Sequence, residues 1–178
     1  ILETFGVEVA RCDTLEQYTD AINDASLDRY FSKYWENDIK KWKYSGLALV
    51  DEVNSLRPRA VLDVGCGYNE FKGKIDNLIG IDPYNDKADI QVSTLEYRTT
   101  QKFDVMLCLG SVNFGSRDKI ISEVGRCVDL LEEGGIMFFR VNPGVQHDKP
   151  EAKWIEFFAW NVPFIIELSE IFNLKILD

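Results

Sequence analysis

Apolar residues in the first third of the chain recur at helical spacing. Thr14, followed three residues later by Gln17, forms the capping-box pattern that begins a helix. A second helical segment is predicted from about Ser26, and a third ends before Pro58. The pattern therefore predicts a helical N-terminal segment over residues 1–57. The apolar face of its third helix consists of Leu47, Val50, Val53 and Leu56.

Beyond this segment, short apolar runs alternate with polar or helical stretches. Helices are predicted along the stripe from Ile120 to Leu131 and from about Pro163 to Phe172. The connections that follow the first two runs are too short for the usual crossover helix. This alternation predicts an α/β domain over residues 58–178, with a mostly parallel sheet covered by helices. The six predicted strands are residues 60–64, 78–81, 88–92, 103–109, 136–141 and 174–177.

Acidic residues outnumber basic ones, and this limits the partners to be expected. The 178 residues include 30 Asp and Glu against 20 Lys and Arg, for a formal net charge of −10. Such a field repels polyanions, so nucleic acid is disfavoured as a partner. Lys40, Lys41 and Lys43 have two interpretations, a solvated helix face or a contact with an anionic substrate or nucleic acid.

Neither a membrane span nor a signal segment is visible in the sequence. No run reaches the roughly 18 consecutive apolar residues that a span requires, and no basic-then-apolar stretch begins the chain. The cysteines form no CxxC pair. These features predict a soluble, cytoplasmic protein with reduced thiols and no metal site. The cysteines are Cys12, Cys66, Cys108 and Cys127.

The residues that follow the first predicted strand carry the candidate chemistry. Gly65 and Gly67 permit backbone angles and close approaches that a Cβ would obstruct, and exposed amides there could bind a carboxylate or hydroxyl. Asp82 ends the next strand, where a carboxylate can accept hydrogen bonds from both hydroxyls of a ribose. Glu70 stands where a dinucleotide-binding motif has its third glycine, and its negative charge disfavours a phosphate. The pattern therefore favours a nucleoside cofactor without phosphates.

Four stretches carry a resemblance to a known family over roughly residues 58–178. They are VLDVGCG at 61–67, GIDP at 80–83, FDVMLCLGSV at 103–112 and LLEEGGIMFFRVNPG at 130–144. In these stretches the sequence resembles the class I S-adenosylmethionine-dependent methyltransferases. The resemblance implies a Rossmann-like fold, S-adenosyl-L-methionine as cofactor and methyl transfer as activity. Asn69 departs from the pattern, since many members have a further glycine there.

The resemblance also implies a role for each part of the motif. The glycine turn would contact the amino-acid part of the cofactor, with Asp63 holding the turn or reaching the cofactor's amino group. Asp82 would bind the ribose, with Pro83 near the adenine and Ser93 and Thr94 at its edge. The complete implied cofactor-binding set is Asp63, Gly65, Cys66, Gly67, Tyr68, Asp82, Pro83, Ser93, Thr94, Leu109, Gly110 and Ser111.

The methyl acceptor is expected to be a small molecule that enters over the ends of the strands at 103–109 and 136–141. Ser111, Asn113, Arg140 and Asn142 are the polar groups expected to meet it, together with Tyr30 and Trp35 from the N-terminal segment. The aromatic series Tyr30, Tyr34, Trp35, Trp42 and Tyr44 has two interpretations. It forms either ordinary helix packing or a lid whose ring faces attract the sulfonium cation.

No catalytic residue is assigned from the sequence, because methyl transfer from a sulfonium requires mainly orientation and a dry site. His147 is the single histidine, and it is either a general base or a solvated loop residue. The leading hypothesis is an S-adenosylmethionine-dependent methyltransferase. The alternative is a non-catalytic module with the same fold, which binds or regulates a partner; the missing third glycine and the shortened connections motivate it.

Overall fold

A computed structural model describes residues 13–35, 46–144 and 150–177. Helix α1 spans Leu15–Lys33, and the Thr14 hydroxyl accepts a hydrogen bond from the Gln17 amide at 3.2 Å. The helix continues through Ser26, where a second start was predicted. The Ser26 hydroxyl donates to the Ile22 carbonyl oxygen one turn earlier, and therefore does not act as a cap.

The remaining regular elements alternate between strands and helices only in the second half of the chain. They are α2 (Leu49–Ser55), β1 (Val61–Val64), β2 (Leu78–Ile81), β3 (Phe103–Leu109), α3 (Arg117–Leu130), β4 (Leu131–Arg140), a 3-10 helix (Pro150–Ala152) and α4 (Val162–Ile171). The short connections predicted after the first two strands are confirmed, because neither contains an α-helix.

The four strands form one parallel sheet in the order β2-β1-β3-β4. The predicted α/β fold with a mostly parallel sheet is therefore confirmed. The chain leaves β1 toward β2 and then returns to place β3 on the other side of β1. This reversal of strand order opens a crevice at the carboxyl ends of β1 and β3, which is where α/β sheets bind ligands.

Two predicted strands are wrong. Only Ile90 of the run 88–92 pairs with β2, through a single bridge to Ile81. The Asp89 carboxylate accepts the Gly80 amide hydrogen at 2.8 Å and so takes a donor that a longer ladder would use. Residues 174–177 form no ladder within the described chain; the Leu174 amide instead donates to the Ser169 carbonyl oxygen at the end of α4.

The strand predicted over 136–141 begins earlier, at Leu131, which pairs with Phe103. The register then shifts between Phe103 and Val105, and Gly134 in the corresponding part of β4 has a φ of 76°. Residues 132–135 therefore form a bulge in the ladder, and the two glycines within it are why the sequence suggested a break before the strand.

Alternate residues of the strands enter cores on the two faces of the sheet. Leu62 and Met106 pack with α3 and α4 on one face, and Val61 and Val105 pack with α2 on the other. Within the part of the chain that the structure describes, no helix is long and apolar enough to cross a membrane.

Candidate functional site

A cavity of about 490 Å³ opens at the carboxyl ends of the four strands. Its volume lies within the range of roughly 300–1,000 Å³ typical of small-molecule sites. The cavity brings together most of the residues expected to bind a cofactor or an acceptor. Those in its wall are Trp35, Asp63, Gly65, Cys66, Gly67, Asp82, Pro83, Thr94, Leu109, Gly110, Ser111, Asn113, Arg140 and Asn142.

The glycine turn connects the ends of β1 and β2. Gly65 and Gly67 have φ values of 67° and 53°, in the left-handed region that favours glycine. The amides of Gly65 and Cys66 both donate to the Ile81 carbonyl oxygen, and the Gly67 amide donates to the Asp82 carboxylate at 3.0 Å. These amides are engaged within the protein rather than exposed to a ligand as the sequence suggested. The absence of a Cβ at Gly65 and Gly67 lets Ser111 and Trp35 pack directly on the turn.

Asn69 has a left-handed backbone conformation of the kind that glycine adopts most easily. Its φ is 56°, which asparagine tolerates better than most residues. Its amide group donates to the Lys87 carbonyl oxygen at 3.0 Å, so the residue also holds the loop that follows β2. The departure from the family pattern therefore leaves the turn intact.

Asp82 holds two loops together at the base of the cavity. Its Oδ2 accepts the Gly67 amide, while its Oδ1 accepts the amides of Tyr84 and Asn85 at 2.8 and 2.9 Å. A carboxylate has about four acceptor positions, so three bonds leave capacity for about one more, at Oδ2. Asp82 can therefore accept one ribose hydroxyl in this geometry, rather than both.

Asp63 is a buried carboxylate at the end of β1, 3% exposed. Burial, together with the negative charge of Asp82, raises its pKa to about 7. No hydrogen bond from the described residues stabilises its charged form. A cationic group of a ligand in the cavity would supply that stabilisation.

Ser111 follows β3 and packs directly on the glycine turn. A Cβ added to Gly65 would lie 2.3 Å from the Ser111 Cβ, so only glycine permits this contact. The Ser111 hydroxyl is buried and has no hydrogen-bond partner among the described residues. A buried hydroxyl and a buried carboxylate in one cavity wall both suit a polar ligand.

Asn113 is used by the protein itself. Its Oδ1 accepts the Asn142 amide at 2.9 Å, and its Nδ2 donates to the Arg140 carbonyl oxygen at 3.4 Å. Asn113 therefore fixes the end of β4 beside the end of β3, although the sequence suggested an acceptor contact. The half-buried Arg140 guanidinium covers Gly110 and donates to the Leu109 carbonyl oxygen at 2.8 Å; burial lowers its pKa.

Phe31 of α1 and Trp35, two residues beyond the end of that helix, form an aromatic roof over the cavity. The two rings meet edge to face at 5.6 Å between centroids. Trp35 stacks on Tyr68 at 5.2 Å with 10° between the rings, and the Tyr68 hydroxyl donates to the Trp35 carbonyl oxygen at 2.9 Å. A Cβ on Gly67 would lie 2.8 Å from the indole. The aromatic roof thus rests directly on the glycine turn.

Three of the predicted site residues lie outside the cavity wall. Tyr30 is 2% exposed and packs in the core between α1 and residues 152–157. The Ser93 hydroxyl donates to Glu96 at 2.6 Å within its own turn, and Tyr68 stacks on Trp35, which lines the cavity. Trp42, Tyr44 and His147 lie outside the described residues.

Several aromatic wall residues escaped the sequence analysis. They are Phe31, Tyr84, Phe114 and Phe157. Helical spacing between Phe31 and Trp35 was a usable signal, because residues four apart share a helix face. Phe114 and Phe157 meet through a single antiparallel bridge between two loops, and no local pattern encodes such a contact.

Comparison with known proteins gives structural matches alone. The sequence matches no protein-family model and no curated protein. Among solved structures, an N-methyltransferase NodS from Bradyrhizobium japonicum WM9 with S-adenosylhomocysteine has 18% identity and a TM-score of 0.58. That match covers 84% of this chain and 85% of the other.

Two further solved structures give similar values. A 1,6-didemethyltoxoflavin N1-methyltransferase from Burkholderia thailandensis, also with S-adenosylhomocysteine, has 16% identity and a TM-score of 0.64, covering 87% of this chain and 79% of the other. An S-adenosylmethionine-dependent methyltransferase from Clostridium acetobutylicum has 15% identity and a TM-score of 0.57, covering 80% and 83%. The chain therefore has the Rossmann-like fold of the class I S-adenosylmethionine-dependent methyltransferases.

Proposed function

We propose that this protein transfers a methyl group from S-adenosylmethionine to a small acceptor. The observation that carries the proposal is the junction of the glycine turn with Asp82, through the 3.0 Å bond from the Gly67 amide, at the wall of one cavity. That junction sits at the reversal of strand order, where an open α/β sheet binds its ligand.

The polar groups of the cavity fit this cofactor in charge and in position. Asp63 is the buried acceptor for a cationic group, and the spare acceptor position of Asp82 suits one ribose hydroxyl. Ser111 brings a buried hydroxyl without a partner among the described residues. Pro83, Val92 and Thr94 line the part of the wall beside Asp82, where the adenine would lie.

The chemistry requires orientation and dryness more than proton transfer. The bound cofactor supplies a methyl group on a positively charged sulfur, and the C–S electron pair returns to sulfur as the acceptor's lone pair forms the new bond. The residues of the site hold the acceptor in line and exclude water. The aromatic roof and Leu109 exclude water from the site. Asn113 fixes the end of β4, against which the acceptor would be placed.

A small acceptor is favoured by the size of the cavity. A volume of about 490 Å³ has to hold both the cofactor and the reacting part of the acceptor. We also propose that α1 is part of the same unit as the sheet and acts as its lid, since Trp35 contacts Gly67 and Tyr68. The unpaired thiols of Cys66, Cys108 and Cys127 support a reducing, cytoplasmic location.

Binding of S-adenosylhomocysteine tests the cofactor assignment, with isothermal titration calorimetry as the measurement. An analogue without the 2′ or the 3′ hydroxyl should bind roughly tenfold or more weakly, which corresponds to the loss of one hydrogen bond to a charged group. In Asp82→Ala the full ligand and that analogue should bind equally. Asp86→Ala is the matched control, because this acid of the same loop is exposed and does not line the cavity.

Failure of the unmodified protein to bind S-adenosylhomocysteine would refute the assignment. The assignment would also be refuted if Asp82→Ala still bound the full ligand more tightly than the analogue without the hydroxyl. The shortened connections favour a second candidate, a non-catalytic binding module with this fold. A methyl-release assay against pooled metabolites separates the two, because a module would bind the cofactor and release no methyl group to any pool.

A further inference from the structure

Four aromatic side chains from separate segments meet along one side of the cavity. We call Phe31, Tyr84, Phe114 and Phe157 the aromatic wall; they come from α1 and from the loops that follow β2, β3 and β4. Phe31 lies between Tyr84, at 6.1 Å with 9° between rings, and Phe114, at 5.6 Å with 69°. Phe114 meets Phe157 at 5.1 Å with 62°. The aromatic wall is thus a continuous series of ring faces and edges.

Asn113 and Asn142, two polar side chains that line the cavity together with the aromatic wall, are bound to the protein backbone. Both ends of the Asn113 amide group are bonded, to the Asn142 amide and to the Arg140 carbonyl oxygen. The Asn142 Oδ1 accepts the Gly144 amide at 2.8 Å. A polyhydroxylated ring placed here would give up hydrogen bonds to water and find few replacements, which is costly for each buried hydroxyl. A ring without hydroxyls gives up none.

Resting on the proposed methyltransferase activity, we propose that the acceptor carries a planar aromatic ring that packs against the aromatic wall. Aromatic rings attract one another in offset-stacked and edge-to-face arrangements beyond the effect of buried area. Because neighbouring rings of the aromatic wall are inclined by 69° and 62° to one another, a flat guest in the cavity would meet rings in more than one orientation. A saturated ring of equal size is thicker and lacks the complementary quadrupole.

The cofactor and the acceptor would occupy different parts of the cavity. The glycine turn, Asp63 and Asp82 lie at the ends of β1 and β2, whereas Phe114 and Phe157 lie beyond the ends of β3 and β4. Tyr84 and Phe31 connect the two parts across the top. The acceptor's ring therefore lies on the β3–β4 side, with Arg140 in the adjoining wall.

Charge-matched pairs of small ligands test this proposal on the protein saturated with S-adenosylhomocysteine. The pairs are benzoate with cyclohexanecarboxylate, benzamide with cyclohexanecarboxamide, and benzylamine with cyclohexylmethylamine, and ligand-observed NMR titration measures each dissociation constant. Within at least one pair the aromatic member should bind three-fold or more tightly than the saturated member. The three pairs differ in charge because Arg140 in the adjoining wall affects which charge the site accepts. In Phe114→Leu that preference should fall to near unity.

Phe139→Leu is the matched control, because this phenylalanine on β4 is 37% exposed and is absent from the cavity wall. It should keep the aromatic preference of the unmodified protein. Retained affinity for S-adenosylhomocysteine establishes that each variant is folded, and Phe31→Leu replaces Phe114→Leu if the latter does not fold. Equal binding within all pairs, tighter binding of the saturated members, or no binding of any probe overturns the proposal. Loss of S-adenosylhomocysteine binding by the unmodified protein would instead overturn the proposed function.

Discussion

Asp63, one residue before the end of β1, and Asp82, directly after β2, have different surroundings and therefore different properties. Asp82 accepts hydrogen bonds from three backbone amides, one in the glycine turn and two in the loop after β2, and so fixes the turn to that loop. Asp63 lies beside it with a pKa raised to about 7 by burial and by the charge of Asp82. Asp82 is therefore a structural hydrogen-bond acceptor, while Asp63 loses its proton only near pH 7 in the ligand-free protein and at lower pH when a cation lies beside it.

This difference predicts that cofactor affinity depends on pH through Asp63. A cationic ligand requires the ionised carboxylate, so protons compete with it, and affinity should fall roughly tenfold per pH unit below pH 7. Above pH 7 the affinity should level off. Calorimetric titrations with S-adenosylmethionine between pH 5.5 and 8.5 measure the profile. Asp63→Asn should bind more weakly and without this dependence; an unchanged profile in that variant would contradict the role.

The same residue affects the stability of the ligand-free protein with the opposite sign. Its pKa is raised from 3.8 in the unfolded chain, so the folded state holds a proton that the unfolded state has lost between these two values. The free energy of unfolding should therefore decline from about pH 4 to pH 7 through Asp63. In Asp63→Asn this contribution disappears, and thermal denaturation of the two proteins at several pH values compares them.

At the scale of elements, α1 and the residues just beyond its C-terminal end contact the loops that surround the cavity. Trp35 stacks on Tyr68 and covers Gly67, while the Asn23 Oδ1 accepts the Glu156 amide at 2.8 Å nearer the middle of the helix. The indole therefore lies over the part of the turn assigned to the amino-acid end of the cofactor. A lid in this position should slow the departure of the ligand.

Replacing the indole should consequently accelerate dissociation. Trp35→Leu is expected to weaken S-adenosylhomocysteine binding about tenfold, chiefly through a faster dissociation rate. Stopped-flow measurement of dissociation gives the rate. Tyr34→Leu is the matched control, because its ring is 39% exposed and interacts with Arg29 instead of the turn. Equal rates in the Trp35 variant and the unmodified protein would remove α1 from the role of a lid.

Elements were predictable from the sequence where burial alone determines them. The runs at 78–81 and 103–109 are buried on both faces and coincide with β2 and β3. The run at 88–92 was equally suggestive, but the Asp89 carboxylate takes the Gly80 amide and limits pairing to one bridge. Such a side-chain competitor is invisible to periodicity.

The candidate site, like the fold, was predictable from the sequence only in part. Gly65, Gly67 and Asp82 were identifiable because they follow strands within one short stretch, and the structure joins them. The hydrogen bonds of the turn were not predictable. The sequence motif suggested amides free to bind a ligand, but the amides of Gly65 and Cys66 both donate to the Ile81 carbonyl oxygen. The aromatic wall depends on contacts between segments far apart in sequence, so its assembly required the tertiary structure.

On the scale of the whole molecule, the cavity lies where the strand order of the sheet reverses, and the chain carries a net negative charge. The net charge of −10 and a sequence pI of about 4.7 give a field that attracts cations and repels polyanions. The cavity itself includes Asp63, Asp82 and Glu70, opposed by Arg140. A cofactor with positive charge is therefore favoured both by the global field and by the local groups.

The same charge predicts that the protein does not bind nucleic acid. Each phosphate contact requires a cation to displace its counterions, and a chain with ten more acidic than basic residues offers few uncompensated ones. The fluorescence anisotropy of a labelled DNA duplex and of a structured RNA should therefore remain unchanged up to roughly 10 µM protein. The measurement is made at about 50 mM salt, because low salt strengthens the attraction of any basic patch for nucleic acid. Binding that disappears on raising the salt would contradict this expectation. If that binding were lost when Lys40, Lys41 and Lys43 are all replaced by alanine, the binding site would lie at this cluster. Nucleic acid would then again be a candidate methyl acceptor.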